Sequence, residues 1–147
     1  EQMVDASLFK LLQQAAKTSD PTGEKITISV PSDNIPIFPM QVQSVRRALI
    51  NLFTNAIRYA GKANAQIQIF DDHSEIIIDD NGPGIPRDKR DEVVLPFTRL
   101  ENSRNIKTGG TGLGLSIAKN SALNHGGELI LEDSPLGGLR VRLLLPL

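Results

Sequence analysis

The chain has 147 residues, 39% hydrophobic and 22% charged, with a formal net charge of −1. That is the composition of one ordinary globular domain able to bury a core, and the charge balance gives no support to nucleic-acid or anionic-membrane binding. The absence of cysteine removes disulfides and thiol chemistry, and no apolar run reads as a membrane span or a signal peptide.

The opening Glu1-Gln2-Met3-Val4-Asp5 reads as a boundary cut from a longer polypeptide. Asp5 is expected to cap a helix whose apolar positions Leu8, Leu11, Leu12 and Ala15 recur at helical spacing, and Asp20-Pro21-Thr22-Gly23 ends it. Lys25 to Val30 alternates as a strand; Ile35-Pro36-Ile37-Phe38-Pro39 is extended, its prolines suiting an edge. From Met40 to Ala60, Val42, Val45, Leu49, Leu52 and Ala56 step by three or four, which predicts a long amphipathic helix stopped at Gly61. Ala65 to Phe70 and Glu75 to Asp79 form a hairpin around Asp71-Asp72-His73-Ser74. Residues 81 to 111 hold glycines, prolines and charges, a long loop of the kind that usually carries function. Leu113 to Asn124 reads as a helix stopped by Gly126-Gly127, and Glu128 to Glu132 and Leu139 to Leu145 as a closing hairpin. This order argues a mixed sheet with helices on one face.

Three blocks carry chemistry. Asn51, Asn55, Arg58 and Tyr59 share one helical face, roughly opposite the apolar stripe. Asparagine carbonyls are hard oxygen donors, and a Mg²⁺ that keeps several waters needs only one or two of them beside phosphate oxygens. A solvated helix face bearing asparagines by chance is the competing reading. Asp80 follows Ile76-Ile77-Ile78, where a strand leaves the core. A carboxylate there accepts from the exocyclic amine of adenine and repels the O6 of guanine. Gly82 and Gly84 let the backbone approach a base, although Asn81-Gly82-Pro83-Gly84 is also ordinary turn chemistry. Gly110-Thr111-Gly112-Leu113-Gly114 runs straight into a helix, so its amides and the helix N-terminus suit a di- or triphosphate; a flexible linker is the alternative. Between these blocks, Phe97 is expected to anchor a lid carrying Arg99, Arg104 and Lys107, which as a solvated basic loop would do nothing further.

In this order the motifs resemble the catalytic and ATP-binding domain of bacterial sensor histidine kinases, in the gyrase–Hsp90–histidine kinase–MutL superfamily. Asn51 to Tyr59 is similar to its N box, Asp80 to Gly84 to the G1 box, Pro96 to Arg99 to the F box and Gly110 to Gly114 to the G2 box. The resemblance implies a two-layer α/β sandwich with a mixed sheet of about five strands and three helices on one face. It implies ATP and Mg²⁺ as ligands, with Asn55 holding the metal and Asn51 beside it. Arg58 would reach phosphate, Tyr59 line the adenine site and Asp80 bind the adenine amine. Arg99 would approach the γ-phosphate, and Gly82, Gly84, Ile85, Leu100, Gly110, Thr111, Gly112, Leu113, Gly114 and Leu115 would complete the ATP site. Asn55, Arg58 and Arg99 would be the catalytic set. Residues 1–20 would be the end of a dimerisation hairpin or linker helix, and residues 21–147 the catalytic domain.

The resemblance also implies partners: the parent's dimerisation and histidine phosphotransfer domain, and a response regulator, with no nucleic acid. The fragment is expected to be monomeric and cytoplasmic, its parent a homodimer anchored in the bacterial inner membrane. His73, in a predicted turn, and His125, at a helix end, both lack the acidic neighbour and helical setting of a phosphoacceptor. The competing functions are an anti-sigma-factor-type serine kinase of the same fold, an ATP-driven clamp and a non-enzymatic nucleotide-binding interaction domain. The clamp would need an acidic residue where Asn51 stands.

Overall fold

A computed structural model of the chain describes residues 1–30, 35–59, 61–95 and 114–147. The chain enters through a short strand, β1 (Val4–Ser7), and turns into helix α1 (Leu8–Ser19). Asp5 does not cap α1: it lies within β1, opposite Pro39, and the cap is Ser7, whose Oγ accepts from Lys10 N–H at 3.2 Å. The helix starts two residues later than the capping residue expected, because Val4 to Ser7 is drawn into a ladder. Leu8, Leu11, Leu12, Ala15 and Ala16 are buried along one stripe of α1. Asp20 closes the helix and begins the next element, its Oδ2 accepting from Lys25 and Ile26 N–H, each at 2.9 Å.

Strand β2 (Ile26–Ser29) joins the main sheet, whereas β3 (Ile37–Met40) pairs antiparallel with β1 in a separate two-stranded sheet. Helix α2 (Val42–Tyr59) then leads into strands β4 (Ala63–Ile69) and β5 (His73–Asp80). A 3-10 turn (Arg87–Lys89) and the four-residue helix α3 (Arg90–Val93) follow, and helix α4 (Gly114–Asn124) precedes strands β6 (Glu128–Asp133) and β7 (Leu139–Pro146). The main sheet has the order β2-β4-β5-β7-β6; β2 runs parallel to β4 and every other pairing is antiparallel. The five-stranded mixed sheet matches expectation. Four α-helices stand among the described residues rather than three, the extra one being α3. The β4–β5 turn is also tighter than expected, with His73 and Ser74 already paired in β5.

Strand alternation decides what each face does. Ile76 and Ile78 of β5, Ala63, Ala65 and Ile67 of β4, and Val141, Leu143 and Leu145 of β7 join the core with α1, α2 and α4. Asp80 has the parity of Ile76 and Ile78, so it points into the helix–sheet interface at the place where that interface ends. The other parity carries Glu75, Ile77 and Asp79, also buried. Arginines on the neighbouring strand cover the two carboxylates. Arg140 donates to Asp79 from Nε at 2.8 Å and from a terminal nitrogen at 3.0 Å, and Arg142 donates to Glu75 at 2.7 Å. Paired in this two-pronged way, the buried charges are tolerated.

The same face ends in His73, whose ring stacks on Phe70 and whose Nδ1 lies 2.7 Å from Asp72 Oδ1; Glu75 stands 3.5 Å from its Nε2. The hydrogen bond to Asp72, aided by Glu75, raises the His73 pKa above its ordinary 6.5. Folding therefore favours the imidazolium: the contribution is full below the unfolded pKa and disappears as pH rises through the folded one. The stability difference between the native chain and His73→Gln should be largest near pH 5.5, about one unit below the unfolded value, and close as pH rises. Urea denaturation across a pH series checks this, and a pH-independent difference would contradict it.

Candidate functional site

The site assembles where β5 leaves the core. Asp80 is buried, 7% exposed, and its carboxylate is held by backbone rather than by a cation. Gly82 N–H donates to Asp80 Oδ1 at 3.0 Å and Leu139 N–H donates to the same oxygen at 3.1 Å. The Asp80 carbonyl accepts from Gly138 N–H at 3.1 Å. Among the described residues Oδ2 receives neither of these donors, so a hydrogen-bond acceptor is kept for something else. Gly84 (φ +73) packs onto the same hairpin: a β-carbon there would lie 3.5 Å from the Gly138 carbonyl carbon. Ile85 packs against the core, and its carbonyl accepts from Arg90 Nε at 3.1 Å while Arg90 also pairs with Asp133 at the end of β6.

The opposite wall is α2. It buries Val45, Leu49, Leu52 and Ala56, as the stepping pattern predicts, and also Ala48 and Phe53, because helices pack on it from two sides. Asn51, Asn55 and Arg58 are half-buried along one side of the same helix. Asn51 donates from Nδ2 to Arg47 O at 2.8 Å, which leaves its Oδ1 as the outward-looking group. That oxygen faces α4: a β-carbon on Gly114 would lie 3.8 Å from Asn51 Oδ1. Among the described residues neither Asn55 nor Arg58 makes a side-chain hydrogen bond or ion pair. Two amide oxygens and an unpaired guanidinium thus share one helix face, a donor set that fits Mg²⁺ and phosphate.

Asn81 ties the two walls together. Its Oδ1 accepts from Gly61 N–H at 3.1 Å and Lys62 N–H at 3.0 Å, and its own N–H donates to Lys62 O at 3.3 Å. The turn that ends α2 is thereby bonded to the residue after Asp80. At the other end of α2, His125 Nε2 accepts from Gln41 N–H at 2.9 Å, and its Nδ1 lies 2.7 Å from Ser121 O. Since Nε2 accepts, Nδ1 carries the proton. His125 therefore serves two helix ends: Nε2 accepts from the amide that opens α2, and Nδ1–H donates to Ser121 O in the last turn of its own helix α4.

Of the residues singled out from sequence, Asn51, Asn55, Arg58, Asp80, Gly82, Gly84, Ile85 and Gly114 border this region. Leu115 is 6% exposed and belongs to the core. Tyr59 is the last residue of α2. Arg99, Leu100, Gly110, Thr111, Gly112 and Leu113 lie outside the described residues, as do Phe97, Arg104 and Lys107. Sequence reasoning passed over Asn81, Gly138 and Leu139. The available signal was the Gly137-Gly138 doublet, since a turn needs only one glycine.

The class this arrangement defines is a two-layer α/β sandwich with a carboxylate at the end of its central strand and amides on the facing helix. The chain belongs to the histidine kinase-, DNA gyrase B- and HSP90-like ATPase family, whose model matches residues 40–147. It is 35% identical over 139 residues to the sensor histidine kinase CpxA of Escherichia coli, covering 94% of this chain and 30% of that protein. The chain therefore spans under a third of the length of that relative. The crystal structure of the ATP-binding domain of PrrB from Mycobacterium tuberculosis superposes with a TM-score of 0.79 at 29% identity, covering 99% of this chain and 98% of that one. The NMR structure of the histidine kinase domain of the E. coli osmosensor EnvZ gives 0.72 at 31% identity, covering 99% and 88%.

If Asn81 joins the two walls, Asn81→Ala should cost about 1 kcal/mol, the net worth of an accessible hydrogen-bond pair, and Asn81→Asp, which keeps the acceptor, should cost less. Chemical denaturation of the two variants checks this. Equal stability of the native chain and Asn81→Ala would contradict it.

Proposed function

We propose that this chain is the catalytic and ATP-binding domain of a two-component sensor histidine kinase. It binds ATP with Mg²⁺ and transfers the γ-phosphate to a histidine on a dimerisation hairpin outside these residues. The observation that carries the reading is Asp80. A buried carboxylate with one oxygen held by two amides and the other left as an acceptor suits a base that presents an amine. Adenine presents one at N6. Guanine presents a lone pair in that place, and a mispaired buried polar group costs about 1–3 kcal/mol, roughly five- to 150-fold in affinity.

The remaining chemistry is positioning and charge neutralisation, which is what phosphoryl transfer asks of a protein. Asn55 would hold Mg²⁺ with Asn51 beside it, and the ion when bound neutralises phosphate charge. Arg58 meets the phosphates from the same helix face, Arg99 approaches the γ-phosphate, and the Gly110–Gly114 amides wrap the triphosphate ahead of α4. The γ-phosphoryl group then leaves the β-phosphate oxygen and bonds to an imidazole nitrogen, whose proton passes to a neighbouring group on the hairpin. Neither histidine of this chain suits that role: His125 has both ring nitrogens engaged, and His73 stands between Asp72 and Glu75. The parent would be a homodimer anchored in the bacterial inner membrane with this domain in the cytoplasm, and a response regulator would take the phosphate from the histidine. No helix among the described residues is long and apolar enough to cross a membrane.

Calorimetric titration with Mg·ATP should show saturable one-to-one binding, weakened at least about fivefold in Asp80→Asn. Adding a separately prepared histidine-bearing dimerisation hairpin should then give acid-labile phosphohistidine on the hairpin. Acid-stable phosphate would indicate a serine kinase of the same fold. Binding without transfer would indicate a nucleotide-binding interaction domain.

A further inference from the structure

The β6–β7 hairpin does more than close the sheet. It is internally braced: Ser134 N–H donates to Gly138 O at 2.8 Å and Leu136 N–H donates to Ser134 Oγ at 3.0 Å. From this brace Gly138 and Leu139 present their two amides to Asp80. The adjacent glycines serve different ends. Gly137 has φ +101 with open space around it, so the turn requires it for its conformation. Gly138 is not among the glycines of positive φ, and what it supplies is room. A β-carbon at Gly138 would overlap Asp80 Oδ1 and stand 2.6 Å from both the Asp80 carbonyl oxygen and Gly82 N. Oδ1 is thus wedged against the Gly138 backbone between two amide donors, and that wedge sets the rotation of the carboxylate.

We propose that Gly138 is a positioning residue for nucleobase recognition. By admitting Asp80 Oδ1 it dictates where Oδ2 points, and so sets the preference for a base bearing an exocyclic amine. The proposal rests on the reading of Asp80 as the adenine-binding residue. It assigns the origin of base selectivity to a backbone contact from a hairpin remote in sequence.

The test compares ATP and GTP affinities by calorimetry for the native chain, Gly138→Ala and Gly137→Ala. The native chain should favour ATP by at least about fivefold. Gly138→Ala should bring that ratio to about twofold or less, because its carboxylate is turned aside. Gly137→Ala should lower the thermal midpoint through backbone strain yet keep the native ratio, which a merely structural role for the hairpin would not predict. If Gly138→Ala does not fold, amide resonances of the native chain decide. Adenosine, which carries no phosphate, should shift Gly82 and Leu139 together, and guanosine neither. A native ratio in folded Gly138→Ala, or a Leu139 amide that ignores adenosine while Gly82 responds, overturns the role of Gly138. A base preference absent from the native chain, or unchanged in Asp80→Asn, overturns instead the reading of Asp80 on which it rests.

Discussion

A carboxylate buried at the end of a core-facing strand must find hydrogen-bond donors, and among the described residues Asp80 finds them in backbone amides. Two N–H groups on one oxygen satisfy the burial and leave the other oxygen as an acceptor. This constraint explains several features at once. β5 must be central, so that its end lies under the helices. β7 must lie beside it in antiparallel register, so that Leu139 arrives level with Asp80. The residue before Leu139 must lack a side chain. On the far face the same strand buries Glu75 and Asp79, and there the solution is the opposite one, with Arg140 and Arg142 laid over them. One strand therefore carries carboxylates of two kinds, paired on the closed face and held as a free acceptor at the open end.

The second wall depends on α2 being fixed at both ends. At its start the Glu1 carboxylate accepts from Gln43 and Ser44 N–H at 2.7 and 3.0 Å, and His125 accepts from Gln41 N–H. These acceptors answer amides that a helix start leaves without partners. At its end Asn81 holds the turn. The helix between them thereby holds Asn51, Asn55 and Arg58 at a set distance from Asp80.

Much of this was legible in the chain because the relevant signals are local. The stepping of Val45, Leu49, Leu52 and Ala56 marked α2 to within two residues, and the Ile76-Ile77-Ile78 run placed Asp80 at a strand end. What was not legible depends on contacts distant in sequence. β1 is four residues of weak pattern, extended only because β3 lies opposite, and Asp5 lost its capping place to that pairing. The burial of Glu75 and Asp79 depends on Arg140 and Arg142, more than sixty positions away. Asn81 and Gly138 resemble ordinary turn residues; their partners lie about 20 and 58 positions away, where local sequence signals do not reach.

The most direct measurement is an experimental structure of the chain with Mg²⁺ and a non-hydrolysable ATP analogue. The adenine amine should lie within hydrogen-bond distance of Asp80 Oδ2, with Oδ1 still bonded to Gly82 and Leu139 N–H and the metal on Asn55. An adenine bound away from Asp80, or a carboxylate that abandons Leu139 to reach the base, would contradict this.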